Sequence, residues 1–165
     1  MHKGLATLAV GLVTVLSSAT IAAPTFINLS SDDQLVAKAA NQPIAVTLSG
    51  MATPGFRVAG SKLTFTAAGD YFVYAAAQIG GSTAGAVYLW PRVNGKDVDD
   101  SNSIQYVTSP QFTAVLVSAG EMSFKAGDVL EFMYAASAPG LGLVASKPPG
   151  MPTVPSILLT AYKLN

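Results

Sequence analysis

Beyond Pro43 every apolar run is short and is closed by glycine, proline, asparagine or aspartate, and no run repeats with helical spacing. In Lys62–Thr66, for example, Leu63 and Phe65 alternate with polar residues. Alternation of this kind places the apolar side chains on one face of a strand. Asn94-Gly95 separates two such runs and is a hairpin turn signal. The pattern predicts an all-β chain, an antiparallel β-sandwich or jelly roll of about eight to ten strands.

Three of the predicted strands lack a polar face. They are Tyr71–Ile79, Val129–Ala136 and Ser156–Leu164, in which both alternating sets of side chains are mostly apolar. The core of a sandwich covers only one face of each sheet. If these strands share a sheet, its second face needs another cover, and a second copy of the chain is the simplest one.

The first residues have the order of a secretory signal peptide. A short basic start precedes an apolar run over Leu5–Leu16 and then small residues up to Ala23. We expect cleavage after Ala22, so that 1–22 is the signal peptide, 23–42 a linker or arm and 43–165 the folded domain. An uncleaved membrane anchor is the alternative, since the whole run Gly4–Ala23 has 20 residues, about the length that spans a bilayer. Within the linker, Ser31–Asn41 is compatible with a short capped helix.

Composition narrows the function. The chain has 9 basic and 9 acidic residues and no cysteine, and half of it is apolar. The high apolar content disfavours a disordered chain, and the lack of a basic excess disfavours a nucleic-acid binder. The absence of cysteine excludes disulfides. His2 is the only histidine and would leave with the signal peptide, so no Ser-His-Asp triad is available afterwards. We predict no catalytic residue and no bound cofactor.

An ordered series of motifs carries a family resemblance. It consists of Phe65-Thr66-Ala67-Ala68-Gly69-Asp70-Tyr71-Phe72-Val73-Tyr74, Trp90-x-Arg92-x-Asn94-Gly95-x-x-Val98-x-x-Ser101, Ala126-Gly127-Asp128-x-Leu130-Glu131 and Pro155-Ser156-Ile157. The stretch from Gln42 to Leu164 resembles the globular head of complement C1q and the tumour-necrosis-factor-like (TNF-like) jelly-roll superfamily. Its later motifs look like the bacterial and phage branch of that superfamily.

The resemblance implies a jelly roll that assembles as a tight homotrimer. It also implies that the three strands without a polar face lie together in the sheet near the threefold axis. Large flat side chains dominate the energetics of interfaces. We therefore predict the aromatic side chains of these strands as the trimer interface, namely Phe72, Tyr74, Phe132, Tyr134 and Tyr162.

Other residues suggest ligand sites. Asp97, Asp99 and Asp100 form the densest oxygen cluster and are a candidate calcium site, with a solvated turn as the alternative. Tyr88, Trp90 and Tyr106 form a candidate sugar-stacking platform, with core packing as the alternative. Glu131 lies in an otherwise apolar strand and is a candidate enzymatic acid. Its nearest acidic neighbour in the sequence, Asp128, would point to the opposite face, so a salt bridge or an exposed position is the expected role.

Together these features predict an exported, secreted or cell-surface recognition or adhesion module that is not an enzyme. Its expected partners are two further copies of itself and an extracellular protein or glycan, with no nucleic acid. It would meet a membrane only if the N-terminal segment is uncleaved. A jelly-roll building block of a virion or surface assembly is the alternative, and a polysaccharide-active enzyme ranks lowest.

Overall fold

The computed structural model describes residues 25–51 and 53–164. These residues form thirteen strands and no helix, and the strands make two antiparallel sheets. Nine of the strands have four residues or more, which agrees with the predicted β-sandwich. The predicted signal peptide, residues 1–22, lies outside the described residues.

Sheet A contains six strands, numbered here in chain order. They are β1 (Phe26–Ser31), β2 (Leu35–Val36), β6 (Gly69–Gly81), β10 (Ala114–Phe124), β12 (Leu141–Leu143) and β13 (Ile157–Lys163). The long strand β6 is its centre, and it pairs with β13, β10 and β12. β1 adds to the free side of β13, so the first and last strands of the domain are neighbours.

Sheet B contains seven strands. They are β3 (Ile44–Ala45), β4 (Phe56–Ala59), β5 (Lys62–Phe65), β7 (Gly85–Val93), β8 (Lys96–Asp97), β9 (Ser103–Val107) and β11 (Val129–Ala136). β7 and β11 form its centre. The predicted hairpin after β7 is present, because Val93 pairs with Lys96 across the turn. Asn94 and Gly95 both have positive φ, of 51° and 77°, as a two-residue type I′ turn requires.

The core fills the space between the sheets. Sheet A contributes every second residue of β6, among them Tyr71, Val73 and Ile79. Sheet B contributes Leu89 from β7 and the alternate residues of β11. The period of two directs one alternating set of side chains in each strand toward the core and the other set toward the outer face of its sheet.

The domain begins earlier than predicted. The segment assigned to a linker, 23–42, includes β1, whose Ile27 and Leu29 are fully buried in the core. β1 alternates apolar and polar residues and forms a complete ladder with β13. The predicted boundary at residue 43 is therefore wrong, and so is the short helix, since Leu35–Val36 is strand β2 followed by a turn.

The three strands without a polar face do not share a sheet. β6 and β13 are neighbours in sheet A, whereas β11 lies in sheet B. The second apolar face of β11 is covered within the subunit, because Met133 and Ala135 pack beside Trp90 and Tyr88. The prediction that β11 needs a cover from another subunit is therefore wrong. Only the outer face of sheet A still needs such a cover.

Candidate interaction surfaces

The outer face of sheet A carries an unusual number of large apolar side chains. We call these seven side chains the apolar face; they are Phe26, Phe72, Tyr74, Val115, Val117, Leu158 and Tyr162. They come from four adjacent strands, β1, β13, β6 and β10. Six of them are large hydrophobic residues exposed to solvent, and Phe72 is partly buried.

Cross-strand pairing makes this face continuous. Phe26 pairs with Tyr162, which in turn pairs with Phe72. The rings of Phe72 and Tyr162 are 5.5 Å apart between centroids, in the range of an aromatic pair. The row below is more polar, since the Thr160 hydroxyl donates a hydrogen bond to Asn28 Oδ1. An exposed apolar patch of this kind is a candidate interaction site.

The structure divides the five aromatic residues of the predicted interface into a group on the outer face and a buried group. Phe72, Tyr74 and Tyr162 lie on the apolar face, so the structure brings these three together. Phe132 and Tyr134 do not, because they point from β11 into the core and are 1% and 2% exposed. Their assignment to an interface is wrong, since no partner reaches a side chain buried between two sheets. Burial also raises the pKa of the Tyr134 phenol.

The sequence reasoning missed four members of the apolar face. Phe26 lies in the segment that we assigned to the linker, although it alternates with Ile27 and Leu29 as a strand residue does. Val115 and Val117 alternate with Leu116 on β10, and Leu158 alternates with Leu159 on β13. Only the pairing of these strands with β6 shows that the exposed sets share one face.

Tyr88, Trp90 and Tyr106 share the outer face of sheet B. Tyr88 and Trp90 are alternate residues of β7, and Tyr106 lies opposite Ala86 on the neighbouring strand β9. Trp90 is only 8% exposed, whereas Tyr106 is 62% exposed. The buried tryptophan has no free ring face comparable to that of Tyr106, so the trio does not present a stacking platform of three rings.

Asp97 holds Trp90 in place. The Trp90 indole Nε1 donates a hydrogen bond to Asp97 Oδ1 at 2.8 Å, and the Arg92 Nε donates to the same oxygen at 2.7 Å. The hydrogen bond from Arg92, and then that from Trp90, lowers the pKa of Asp97 below its ordinary value of 3.8. The hydrogen bond between Arg92 and Asp97 in turn raises the pKa of Arg92.

The candidate calcium residues are not gathered into a site. Asp97 is occupied by Arg92 and Trp90. Over residues 25–51 and 53–164, no group of three histidine, cysteine or acidic side chains is placed to hold a metal. Asp100 lies in the turn after β8, with a φ of 57°.

Glu131 and Asp128 are both engaged, and not with each other. Ser61 donates its hydroxyl to Glu131 Oε1 at 2.8 Å. Asp128 accepts hydrogen bonds from Asn94 Nδ2 and from the Lys125 backbone N–H, in that order of effect, and these lower its pKa. The geometry gives this pair no role as an acid and a nucleophile or base.

Solved structures share the fold. Crystal structures of murine APRIL at pH 8.0 and pH 8.5 resemble the chain with TM-scores of 0.59 and 0.58, at 16% and 15% sequence identity. The structure of murine APRIL at pH 5.0 gives a TM-score of 0.54 at 14% identity. Each match covers 86% of this chain and 100% of the other. No protein-family profile and no curated protein sequence matches the chain.

Murine APRIL is a jelly-roll protein of the TNF family, so the predicted TNF-like jelly-roll domain is confirmed as a fold. At such low identity the likeness concerns the fold alone. The narrower assignment to a bacterial and phage branch stays a prediction. In the part of the chain that the structure describes, no helix has the length and apolar character needed to cross a membrane.

Proposed function

We propose that the chain is an exported recognition or adhesion module of C1q/TNF-like type, without enzymatic activity, that works as a homotrimer outside the cell. The observation that carries the proposal is the apolar face. Six large apolar side chains on one sheet are left exposed by the subunit, and a seventh, that of Phe72, is only partly buried. The TNF-like fold supports it, because proteins with this fold usually act as extracellular trimers.

The trimer would be obligate. Interfaces that resemble a core cut in half bury roughly 2,000 Å² or more, and their subunits are not stable apart. In this arrangement Phe72, Tyr74 and Tyr162 lie toward the threefold axis, with Val115, Val117 and Leu158 around them. Glu121 and Asp70, on the same outer face, lie at one end of the patch and leave its centre uncharged.

The absence of enzymatic activity rests on the chemistry of the site residues. Glu131 and Asp128 are held by other groups, and the only histidine belongs to the predicted signal peptide. The signal peptide in turn supports the secreted or cell-surface location.

Light scattering of the purified protein at micromolar concentration tests the proposal. We expect the mass of three chains, and intact mass spectrometry of the same sample should place the first residue at Ala23. A compact monomer would contradict the trimer. A sample that begins at Met1 would contradict cleavage and leave an anchored form.

A second function, a building block of a virion or surface layer, is favoured by one observation. The outer face of sheet B exposes Ile104 and Tyr106, which are 46% and 62% exposed, on the side opposite to the apolar face. Trimers with this second apolar surface would associate further. Growth of the scattering mass in multiples of three with concentration would favour a building block over a discrete module.

A further inference from the structure

The turn between β7 and β8 contains the one asparagine of the sequence that a glycine follows, in the pair Asn94-Gly95. Asn28, Asn41 and Asn102 are followed by leucine, glutamine and serine. A backbone nitrogen can attack the side-chain carbonyl carbon of the asparagine before it, and glycine has no side chain to hinder that approach. Asn94 and Gly95 are both exposed to solvent, so water reaches the pair.

The reaction of such a pair is spontaneous and needs only water. The lone pair of the Gly95 nitrogen forms a bond to Asn94 Cγ, the bond from Cγ to Nδ2 breaks, and the proton of the Gly95 amide leaves with Nδ2 as ammonia. Water then opens the cyclic imide at one of its carbonyl carbons. The product is aspartate, or isoaspartate when the main chain continues through the former side chain. Neither product keeps the Nδ2 donor of asparagine.

The fold holds both ends of the Asn94 carboxamide. Nδ2 donates a hydrogen bond to Asp128 Oδ1 at 2.9 Å, and Oδ1 accepts one from the Val129 backbone N–H at 2.9 Å. The Asn94 backbone N–H also donates to the Val129 carbonyl oxygen at 2.8 Å. The carboxamide and the backbone of the turn must move for the imide ring to close between them. These three hydrogen bonds oppose that movement.

Asp128 is itself fixed as the acceptor. Its second oxygen, Oδ2, accepts a hydrogen bond from the Lys125 backbone N–H at 2.7 Å. The hydrogen bond from Asn94, followed by that from Lys125, lowers the pKa of Asp128, so the carboxylate is charged at neutral pH. A charged acceptor makes a stronger hydrogen bond than a neutral one. The contact therefore ties the turn after β7 firmly to the turn before β11.

We infer that Asn94 is a site of spontaneous deamidation, that its native contact with Asp128 and Val129 suppresses the reaction, and that conversion in an opened chain abolishes this contact. The product presents a carboxylate to Asp128, and like charges repel. Isoaspartate also lengthens the backbone of a turn whose geometry the paired strands fix. A chain that has been unfolded for long enough thus returns to a less stable fold. The inference is independent of the proposed assembly, because this turn belongs to sheet B and not to the apolar face.

The first test follows each asparagine of the purified protein by peptide-mapping mass spectrometry at mildly alkaline pH, in buffer and in concentrated urea. In urea we expect Asn94 to convert faster than Asn41 and Asn102. In buffer it should convert about tenfold more slowly than in urea, because the hydrogen bonds to its carboxamide must break first. Gly95→Ala should slow the conversion of Asn94 in urea to the rate of the other asparagines.

The second test separates the local contact from overall stability. Asp128→Ala removes the acceptor of Nδ2 and should speed conversion in buffer about tenfold. Asp128→Asn keeps the shape with an uncharged acceptor, so its rate should lie between those of Asp128→Ala and the wild type. Gly142→Ala is the control, because its Cβ collides with the Leu35 backbone and leaves the residues around Asn94 unchanged. Circular dichroism verifies that each variant is folded.

Three results of these tests overturn the inference. The first is conversion of Asn94 in urea no faster than that of Asn41 and Asn102, which removes the site. The second is equal conversion of Asn94 in buffer and in urea, which removes the protection. The third is an acceleration by Gly142→Ala as large as that by the folded Asp128 variants, which assigns the protection to overall stability.

The consequence of conversion is tested on the aspartate product itself. Asn94→Asp should lower the midpoint of urea unfolding at neutral pH, because it replaces the donor to Asp128 by a second carboxylate. Asn41→Asp is the matched control, since Asn41 is also exposed and has a φ of 57° against 51° for Asn94. A midpoint for Asn94→Asp no lower than that of the control would contradict the loss of the contact.

Discussion

Phe65 and Phe124 stack face to face across the sandwich, with ring centroids 3.7 Å apart and ring planes 8° from parallel. Phe65 ends β5 in sheet B, and Phe124 ends β10 in sheet A, so the pair joins the two sheets. Phe56 and Tyr71 pack edge-on against Phe65 and complete an aromatic cluster.

We expect Phe124→Ala to lower the free energy of unfolding by about 3–5 kcal/mol, because it removes a buried ring and leaves a cavity. Phe124→Leu should cost clearly less, since most of the volume is kept. Urea unfolding at equal protein concentration measures both, because the stability of an oligomer depends on concentration. An unchanged midpoint for Phe124→Ala would show that the cluster does not hold the sheets together.

The assembly prediction concerns Tyr74 on the apolar face. Tyr74→Glu should remove the trimer and give aggregate or unfolded chain, because a charge is placed in a desolvated interface. Tyr106→Glu is the matched control on the opposite sheet and should remain a soluble trimer. Sedimentation velocity distinguishes the species. A trimeric Tyr74→Glu that remains well folded would move the interface off sheet A.

The pH prediction concerns Asp97, whose pKa is lowered by Arg92 and Trp90. A carboxyl whose pKa is lower in the folded state stabilises the fold above its unfolded pKa, and this contribution is lost as the pH falls. Urea unfolding of the wild type and Asp97→Asn should therefore differ at pH 7 and converge below the ordinary value of 3.8. The carboxylate is half exposed, so the difference should stay within about 1 kcal/mol.

Asp128 keeps its lowered pKa in both proteins and so cancels in this comparison. A gap between wild type and Asp97→Asn that does not narrow as the pH falls below 3.8 would indicate that shape, not charge, is what Asp97 contributes.

Gly142 is required where β12 meets β2. A Cβ at this position would collide with the Leu35 carbonyl oxygen and would lie 2.9 Å from Val36 Cα, both of them backbone atoms that cannot turn away. We expect Gly142→Ala to lower the free energy of unfolding by about 1–3 kcal/mol. Gly120→Ala, which meets no atom, serves as the control. Equal unfolding midpoints for the two variants would contradict the close approach of β2.

The fold should not depend on a metal ion. Asp97 is committed to its ion pair, and Asp99 and Asp100 alone supply too few oxygen ligands for calcium, which takes six to eight. Thermal unfolding with and without EDTA should give the same midpoint. A large drop in the presence of EDTA would restore the turn after β8 as a calcium site.

Local alternation predicted most of the strands but not their partners. The period of two correctly marked β6 and β13 as strands with two apolar faces. It could not show that β11 belongs to the other sheet, because register and neighbour depend on residues far away in sequence. For the same reason Tyr134 and Tyr74 looked equivalent, although one is buried and the other exposed.

A cavity of about 310 Å³ at the edge of the sandwich could not be predicted from the sequence for a different reason. Its lining comes from β6, β7, β9, β10, β11 and the turn between β8 and β9, and each residue taken alone is ordinary.

The position of β13 between β1 and β6 has a consequence for folding during synthesis. Thr160 meets Asn28 across 132 positions of the chain, and contacts of such separation form late. One side of β6 therefore stays without its partner until β13 has been synthesised. The domain is therefore incomplete while it is being made, which is compatible with the export proposed above.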